Sequence, residues 1–258
     1  MNLTVNKLPS TTWNRLHMNE AAVSLEEELQ NFVPGADYNP REILWEGTRN
    51  EASRLCGDLS AVTADARLGY GETAAGIRME QPLVLAYAYG AGDRAASRLC
   101  LHAGADSHLK AVLVLSGAAD ISALQAEILA EENARVDLYL VDLLGSEALC
   151  LNHIAGTLES HAEVNLIRMD LGGRKIYSGV NMELLGDHSG YSSETGYHVK
   201  PGQLLDMNYV AVHRGRSTEC TMQVNGTVEE GAKRSSAEPS ISARAAPVPE
   251  PQKMKMCC

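Results

Sequence analysis

The stretch RVDLYLVDLLG (135–145) gives the first indication of how this chain folds. Val136, Leu138 and Leu140 occupy every second position. Such alternation is typical of a β-strand that buries one face, because successive side chains of a strand point to opposite sides. The run closes on Gly145, a residue that favours a turn.

Similar runs recur from Gln81 onward, and most of them also close on glycine. They include PLVLAYAYG, HLKAVLVLSG, EALCLNHIAG, AEVNLIRMDLGG, KIYSGVNMELLG, LLDMNYVAVHRG and TECTMQVNG. The terminal glycines fall at positions 145, 156, 172, 186, 202, 215 and 226, so each interval has room for one strand and one turn. This spacing predicts an all-β sandwich, barrel or β-solenoid. One Phe and two Trp are few aromatic residues for a wide barrel or sandwich interior, which favours the solenoid.

We expect one continuous β-rich body over about 81–230, with the alternating aliphatic residues pointing into it. The side chains expected inside are Leu138, Leu140, Leu166, Met207, Tyr209, Met222 and Val224.

Helical spacing is seen outside these runs. In NEAAVSLEEELQNF (19–32), Ala22, Leu25, Leu29 and Phe32 share one helical face. A second short helix is expected within 40–60, an inserted helix at 118–134, and a glycine-rich loop at 66–79. The chain is therefore divided into a helical and loop region (1–80), a β core (81–236) and a tail (237–258).

Composition and charge exclude several functions. The formal net charge is −11 and the Lys and Arg residues are scattered, so nucleic acid is not an expected partner. The N-terminal stretch lacks the pattern of a signal peptide, and no apolar run is long enough to predict a membrane span. Six Cys without a CxxC pair indicate a reducing, cytoplasmic setting.

Two Cys–His pairs are the first candidates for a metal site. Cys150 and His153 lie three apart on a predicted strand, so their side chains should point to opposite faces and cannot share a metal. His213 and Cys220 would approach each other if their strands formed a hairpin. Ordinary strand positions are the alternative interpretation for both residues.

Two polar stretches lack the patterns of catalytic motifs. His188 and His198 flank SGYSSETGY, which does not have the pattern of a nucleophile elbow. LGYGETAAG (68–76) is not a phosphate-binding motif. We therefore assign no catalytic residue and no metal ligand, leave cofactor-binding residues open, and expect the protein not to be an enzyme.

Two segments resemble the SufB/SufD family of iron–sulfur cluster assembly scaffolds, in particular its SufD-like members. LPSTTWNRLHMNEA (8–21) is similar to the N-terminal signature of that family, and 202–235, ending in EEGAKRS, is similar to its core. The resemblance covers 1–236. It implies a right-handed β-helix with helical ends, acting with a SufC-type ATPase and with a SufB-type subunit or a second copy. The cluster would be assembled on the complex and not held stably by this chain.

The tail AEPSISARAAPVPEPQKMKMCC (237–258) departs from the family pattern. One permitted choice of codons, read in another frame, encodes an acidic continuation like that of family members, so we interpret the tail as out-of-frame sequence after a frameshift. Its composition predicts disorder. A prenylated anchor or half of a soft-metal site are the alternatives for its terminal cysteines.

A different function class is also possible for a solenoid. Stand-alone β-solenoid binding modules and carbohydrate-active enzymes often carry acidic or basic side chains in a surface groove. No cluster of Asp recurs in consecutive predicted strands here, which favours the scaffold.

Overall fold

The structure is a computed structural model that describes residues 2–5, 21–26, 28–49, 68–236, 240–243 and 254–257. Within these ranges every regular element is a β-strand. The N-terminal strands are β1 (Asn2–Val5), β2 (Ala21–Ser24), β3 (Gln30–Asn31), β4 (Gly35–Tyr38) and β5 (Ile43–Arg49).

The remaining strands lie in two parallel sheets, and from β6 to β18 they alternate between these sheets. The first sheet contains β6 (Leu68–Thr73), β8 (Arg94–Ala103), β10 (Ile121–Ala130), β12 (Leu149–Leu158), β14 (Lys175–Leu184), β16 (Leu204–His213), β18 (Lys233–Ser236) and β19 (Ser240–Ala243). The second sheet contains β7 (Leu83–Tyr89), β9 (His108–Gly117), β11 (Arg135–Leu144), β13 (Glu163–Asp170), β15 (Gly190–Val199), β17 (Glu219–Val228) and β20 (Met254–Cys257).

From β6 to β16, each strand pairs in parallel with the strand two elements later, so the chain winds as a solenoid. β10, for example, pairs on one side with β8 and on the other with β12, and Ile121 lies beside both Arg94 and Leu149. About six such turns stack in the described part of the chain. The predicted β-solenoid is confirmed. At its N-terminal end, β5 pairs antiparallel with β6 and β4 pairs antiparallel with β7.

The core lies between the two sheets. All seven residues predicted to point inward belong to it: six are buried, and Val224 is partly buried and packs against them. Their order along each strand follows the period of two, since Val136, Leu138 and Leu140 are buried while Tyr139 between them is exposed. Parallel stacking then places each inward side chain directly above its equivalent in the next turn.

The helix predicted at 19–32 is wrong for the described residues. β2 and β3 are strands, and burial from 21 to 26 alternates, with Val23 and Leu25 inside and their neighbours half-buried or exposed. Leu25 and Leu29 are buried as the helical spacing required, but on an extended backbone. The alternation that includes Val23 and Leu25 indicates a strand, and it predicts this segment better than the helical spacing does. No helix occurs anywhere in the described residues.

The helix predicted at 118–134 is also wrong, because β10 occupies 121–130. Nine of its ten residues are buried, including the polar Ser122, Gln125 and Glu127, so burial on both faces hides the period of two. Its outer face is covered by the N-terminal strands. The apolar cluster that covers it contains Leu3, Val23, Leu25, Leu29, Ala96, Ile121, Ala123, Leu151 and Tyr177.

Two further expectations near the N-terminus are corrected. Within 40–60, the first part forms β5, and residues 50–60 lie outside the described residues. The expected loop at 66–79 contains β6, whose Gly69 and Gly71 pack against neighbouring side chains. At Gly71 an added Cβ would lie 3.3 Å from Leu101 and 3.4 Å from Ile43, so the glycine allows close packing inside a strand.

The tail differs from the expected disorder at two stretches. β19 pairs with β16, and β20 pairs with β17. The last turn of a solenoid presents unpaired backbone groups, and even short segments can satisfy them by pairing. The other tail positions (237–239, 244–253 and 258) lie outside the described residues.

Candidate functional site

The three cysteines whose side chains are described, Cys100, Cys150 and Cys220, are free thiols and are buried. Burial, followed by the Asp142 carboxylate, raises the pKa of the Cys150 thiol well above its usual value. Burial also raises the pKa of the Cys220 thiol to about 12. Both groups are therefore protonated at neutral pH, and a protonated thiol is a poor nucleophile and metal ligand.

Cys150 and His153 point to opposite faces, as predicted. Cys150 belongs to the core between the sheets, whereas His153 is half-buried on the other face of β12. The strand therefore holds the two side chains apart, on opposite sides of the sheet.

His213 and Cys220 do not lie on a hairpin. β16 pairs with β14, and β17 pairs with β15, so the two residues belong to different sheets. The His213 ring bonds instead to Thr218, with 2.6 Å between Nδ1 and Oγ1, and burial lowers the pKa of His213. No group of three or more His, Cys, Asp and Glu side chains in the described ranges could hold a metal ion.

His188 and His198 lie just before β15 and near its end, and they have separate partners. The His198 ring contacts Thr227 at 2.7 Å and Glu229 at 2.9 Å. The His188 ring stacks on that of His161, with 4.9 Å between the ring centroids. The structure does not bring His188 and His198 together into one site.

The most unusual chemistry lies inside the solenoid, on β13. Arg168 and Asp170 are two residues apart, both point inward, and both are fully buried. Arg168 Nε lies 2.9 Å from each Asp170 carboxylate oxygen, and Arg168 Nη2 lies 2.8 Å from Oδ1. Although burial disfavours the charged guanidinium, the Asp170 carboxylate raises the pKa of Arg168 above its usual value.

A second carboxyl group borders this ion pair. Asp142 lies beside Asp170 in the register of β11 and β13. Its Oδ1 accepts a hydrogen bond of 3.0 Å from the backbone N–H of Leu144. Burial and, secondly, the charge of Asp170 raise the pKa of Asp142 to about 6. The ion pair of Arg168 and Asp170 is therefore accompanied by a second carboxyl group, Asp142, which titrates close to neutral pH.

Hydroxyl groups continue the polar interior toward the C-terminal turns. Tyr209 Oη lies 3.2 Å from both Ser178 Oγ and Thr195 Oγ1. Burial raises the pKa of Tyr209, so its hydroxyl remains protonated. Polar side chains at inward positions are costly unless they are paired, and these are paired with one another.

This interior cluster was missed from the sequence, although a signal was present. In AEVNLIRMDLGG, Val164 and Leu166 are inward aliphatic residues, and the same parity continues into Arg168 and Asp170. Charged residues at positions where a strand should be apolar were therefore visible once the period of two was assigned.

The outer face of the second sheet carries exposed apolar side chains. Tyr139, Leu143, Ile167, Met169 and Leu171 are each 37 to 49% exposed. Tyr139 lies beside Ile167 in the register. On the first sheet, in contrast, several outward side chains are covered by the chain's own N-terminal residues Leu3, Val23, Leu25 and Leu29. The covered side chains are Ala96, Ile121, Ala123, Leu151 and Tyr177.

No helix in the described part of the chain is long and apolar enough to cross a membrane.

Comparison with known proteins assigns the solenoid to a family. The family model "SUF system FeS cluster assembly, SufBD core domain" matches residues 87–236, which is more than half of the chain. No curated protein sequence matches the chain. The matched segment runs from within β7 to the last residue of β18, so it covers nearly all the turns of the solenoid. The chain therefore belongs to the SufB/SufD family of the SUF system for iron–sulfur cluster assembly.

Proposed function

We propose that this chain is a SufD-like scaffold subunit of a SUF-type iron–sulfur cluster assembly complex in the cytoplasm. It acts with a SufC-type ATPase and with a SufB-type subunit or a second copy of itself. It does not catalyse a reaction, and the cluster is a product assembled on the complex and not a group that this chain holds alone.

The observation that carries this proposal is the burial of Cys100, Cys150 and Cys220 in a member of a cluster-assembly family. Thiolates are the usual protein ligands of iron–sulfur clusters. Thiols that are buried and protonated do not present such ligands at the surface. A supporting role beside a subunit that offers accessible ligands agrees with this arrangement.

Two further features support a scaffold. Exposed apolar side chains on one sheet are typical of proteins that work in complexes. The interior carboxyl groups of Asp142 and Asp170 are fully buried, so a sugar substrate could not reach them, which disfavours a carbohydrate-active enzyme built on this pair.

Co-purification tests the proposal. The full chain would be expressed with the SufC-type ATPase and the SufB-type subunit of the same organism, with a tag on this chain alone. We expect the ATPase to be retained through size-exclusion chromatography. An unrelated tagged β-solenoid protein serves as the control. Loss of the ATPase from a folded chain would contradict the partnership.

Anaerobic incubation of the chain with iron and sulfide tests the rest of the proposal. We expect the chain alone to lose the visible absorption of a cluster on desalting, while the complex retains it. A stable cluster on the isolated chain would show that it is a ligand-bearing subunit and would overturn the assigned role.

A further inference from the structure

Five turns at one corner of the solenoid repeat the same strained backbone conformation. At each of them one non-glycine residue has a positive φ between 53° and 59°. These residues are Asp106, Asn133, His161, His188 and Ser217, and they follow one another at nearly equal intervals along the chain. Left-handed φ values are uncommon outside glycine and are tolerated best by Asn, Asp and His.

Backbone hydrogen bonds between turns hold this corner in register. The N–H of His161 donates to the carbonyl of Asp187 at 2.9 Å, and the N–H of His188 donates to the carbonyl of Arg216 at 2.8 Å. The same backbone angles at each turn aim the five side chains in one direction. They form a row with the spacing of neighbouring strands, about 4.8 Å.

Neighbouring members of the row contact each other. Asn133 Nδ2 donates to Asp106 Oδ1 at 3.1 Å. The rings of His161 and His188 are stacked, with an interplanar angle of 13° and 4.9 Å between their centroids. Both histidines are exposed, so their ring nitrogens are accessible from solvent.

We propose that His161 and His188 form a surface binding site for one divalent transition-metal ion of the Ni²⁺, Cu²⁺ and Zn²⁺ class. Each imidazole supplies one nitrogen, and water fills the remaining positions. Imidazole is the protein ligand that suits these ions, and it binds them in its neutral form.

The geometry needs only side-chain rotation. Two nitrogens that bind one ion at about 2.0–2.1 Å in tetrahedral geometry lie roughly 3.3 Å apart. The rings start parallel, and rotation about their side-chain bonds brings one nitrogen of each toward the other. The solenoid fixes the two backbones, so little entropy is lost when the ion joins them.

Titration of the full chain with Ni²⁺ alone, followed by calorimetry at pH 7.5, tests this site. Every protein carries C257S and C258S so that the terminal thiols do not compete for the ion. We expect one bound ion in the parent protein, and we expect His161→Ala and His188→Ala each to weaken binding at least tenfold.

Two variants test whether Ni²⁺ binding requires the nitrogens of His161 and His188, and not merely a stacked ring or any accessible histidine. His161→Phe keeps an aromatic ring against His188 but removes both nitrogens, so it should lose Ni²⁺ as His161→Ala does. His198→Ala removes a partly exposed histidine that already contacts Thr227 and Glu229, and it should bind Ni²⁺ like the parent. Melting curves without metal verify that each variant is folded. Parent-like binding by His161→Phe or by His188→Ala would overturn the proposal.

Discussion

Asp142 and Asp170 occupy the same level of neighbouring strands, so two carboxyl groups lie side by side in the interior of the solenoid. Arg168 binds only one of them, since its Nε and Nη2 both contact Asp170. Asp142 therefore bears the cost of burial and of the like charge beside it. Because only Asp170 has a cationic partner, ionisation of Asp142 destabilises the fold as the pH rises.

The first prediction concerns that dependence. The pKa of Asp142 is raised from 3.8 to about 6 in the folded state, so the folded protein binds this proton more tightly than the unfolded chain does. Its stabilising contribution is complete below about pH 4 and is lost as the pH rises through about 6. Asp142→Asn should remove this loss and raise the free energy of unfolding at pH 7.5 by roughly 3 kcal/mol.

Urea denaturation at a series of pH values measures this effect. The stability curves of the parent and Asp142→Asn should converge near pH 4, diverge between about pH 4 and pH 6, and run roughly parallel above pH 6. Asp120→Asn, at an exposed turn residue, is the control and should follow the parent. A constant difference across the whole pH range would show that Asp142 does not titrate as described.

The second prediction concerns the buried ion pair. Arg168→Met leaves the Asp170 carboxylate buried without its cation, and it should destabilise the fold by about 3–5 kcal/mol. The double variant Arg168→Met with Asp170→Leu removes both charges and should recover most of that loss, because an apolar pair of similar volume is tolerated. Guanidinium denaturation measures both. A double variant as unstable as the single one would mean that packing, and not the unpaired charge, dominates.

The third prediction uses two adjacent residues of β11 that face opposite ways. Leu140 is fully buried, whereas Tyr139 is 38% exposed on the outer face. Leu140→Asp would bury an unpaired carboxyl group and should cost about 4 kcal/mol or more. Tyr139→Asp should cost about 1 kcal/mol or less. Similar melting temperatures for the two variants would contradict the inward assignment of Leu140.

The fourth prediction concerns two glycines with positive φ. At Gly117, φ is 102° and an added Cβ would overlap the carbonyl oxygen of Tyr89. At Gly202, φ is 80° and no atom lies within 4 Å of the added Cβ. Gly202→Ala should therefore cost about 1–2 kcal/mol from the backbone conformation alone. Gly117→Ala should cost clearly more, because the backbone of the neighbouring turn must also move. Thermal denaturation of both variants checks this order.

From the sequence alone, a strand could be predicted wherever one of its faces meets the core and the other meets solvent. Val136, Leu138 and Leu140 face the core while the residues between them are exposed or half-buried, so the amino-acid sequence shows a period of two. The core residues and the solenoid could be predicted for that reason. The histidine and cysteine pairs could be judged in part, since parity correctly separates Cys150 from His153.

Where the tertiary structure buries both faces of a strand, the sequence could not distinguish that strand from a helix. The sequence of β10 predicts a helix because both faces of the strand are buried and no alternation is visible. Its outer face packs against N-terminal residues that lie far earlier in the sequence. The same holds for the interior site. Asp142 and Asp170 lie on successive strands of one sheet, and only the length of the intervening turn of the solenoid places them at the same level. The alternation of side chains along a strand is a local property that the sequence displays, whereas the neighbours of a side chain in adjacent turns depend on how the whole chain winds.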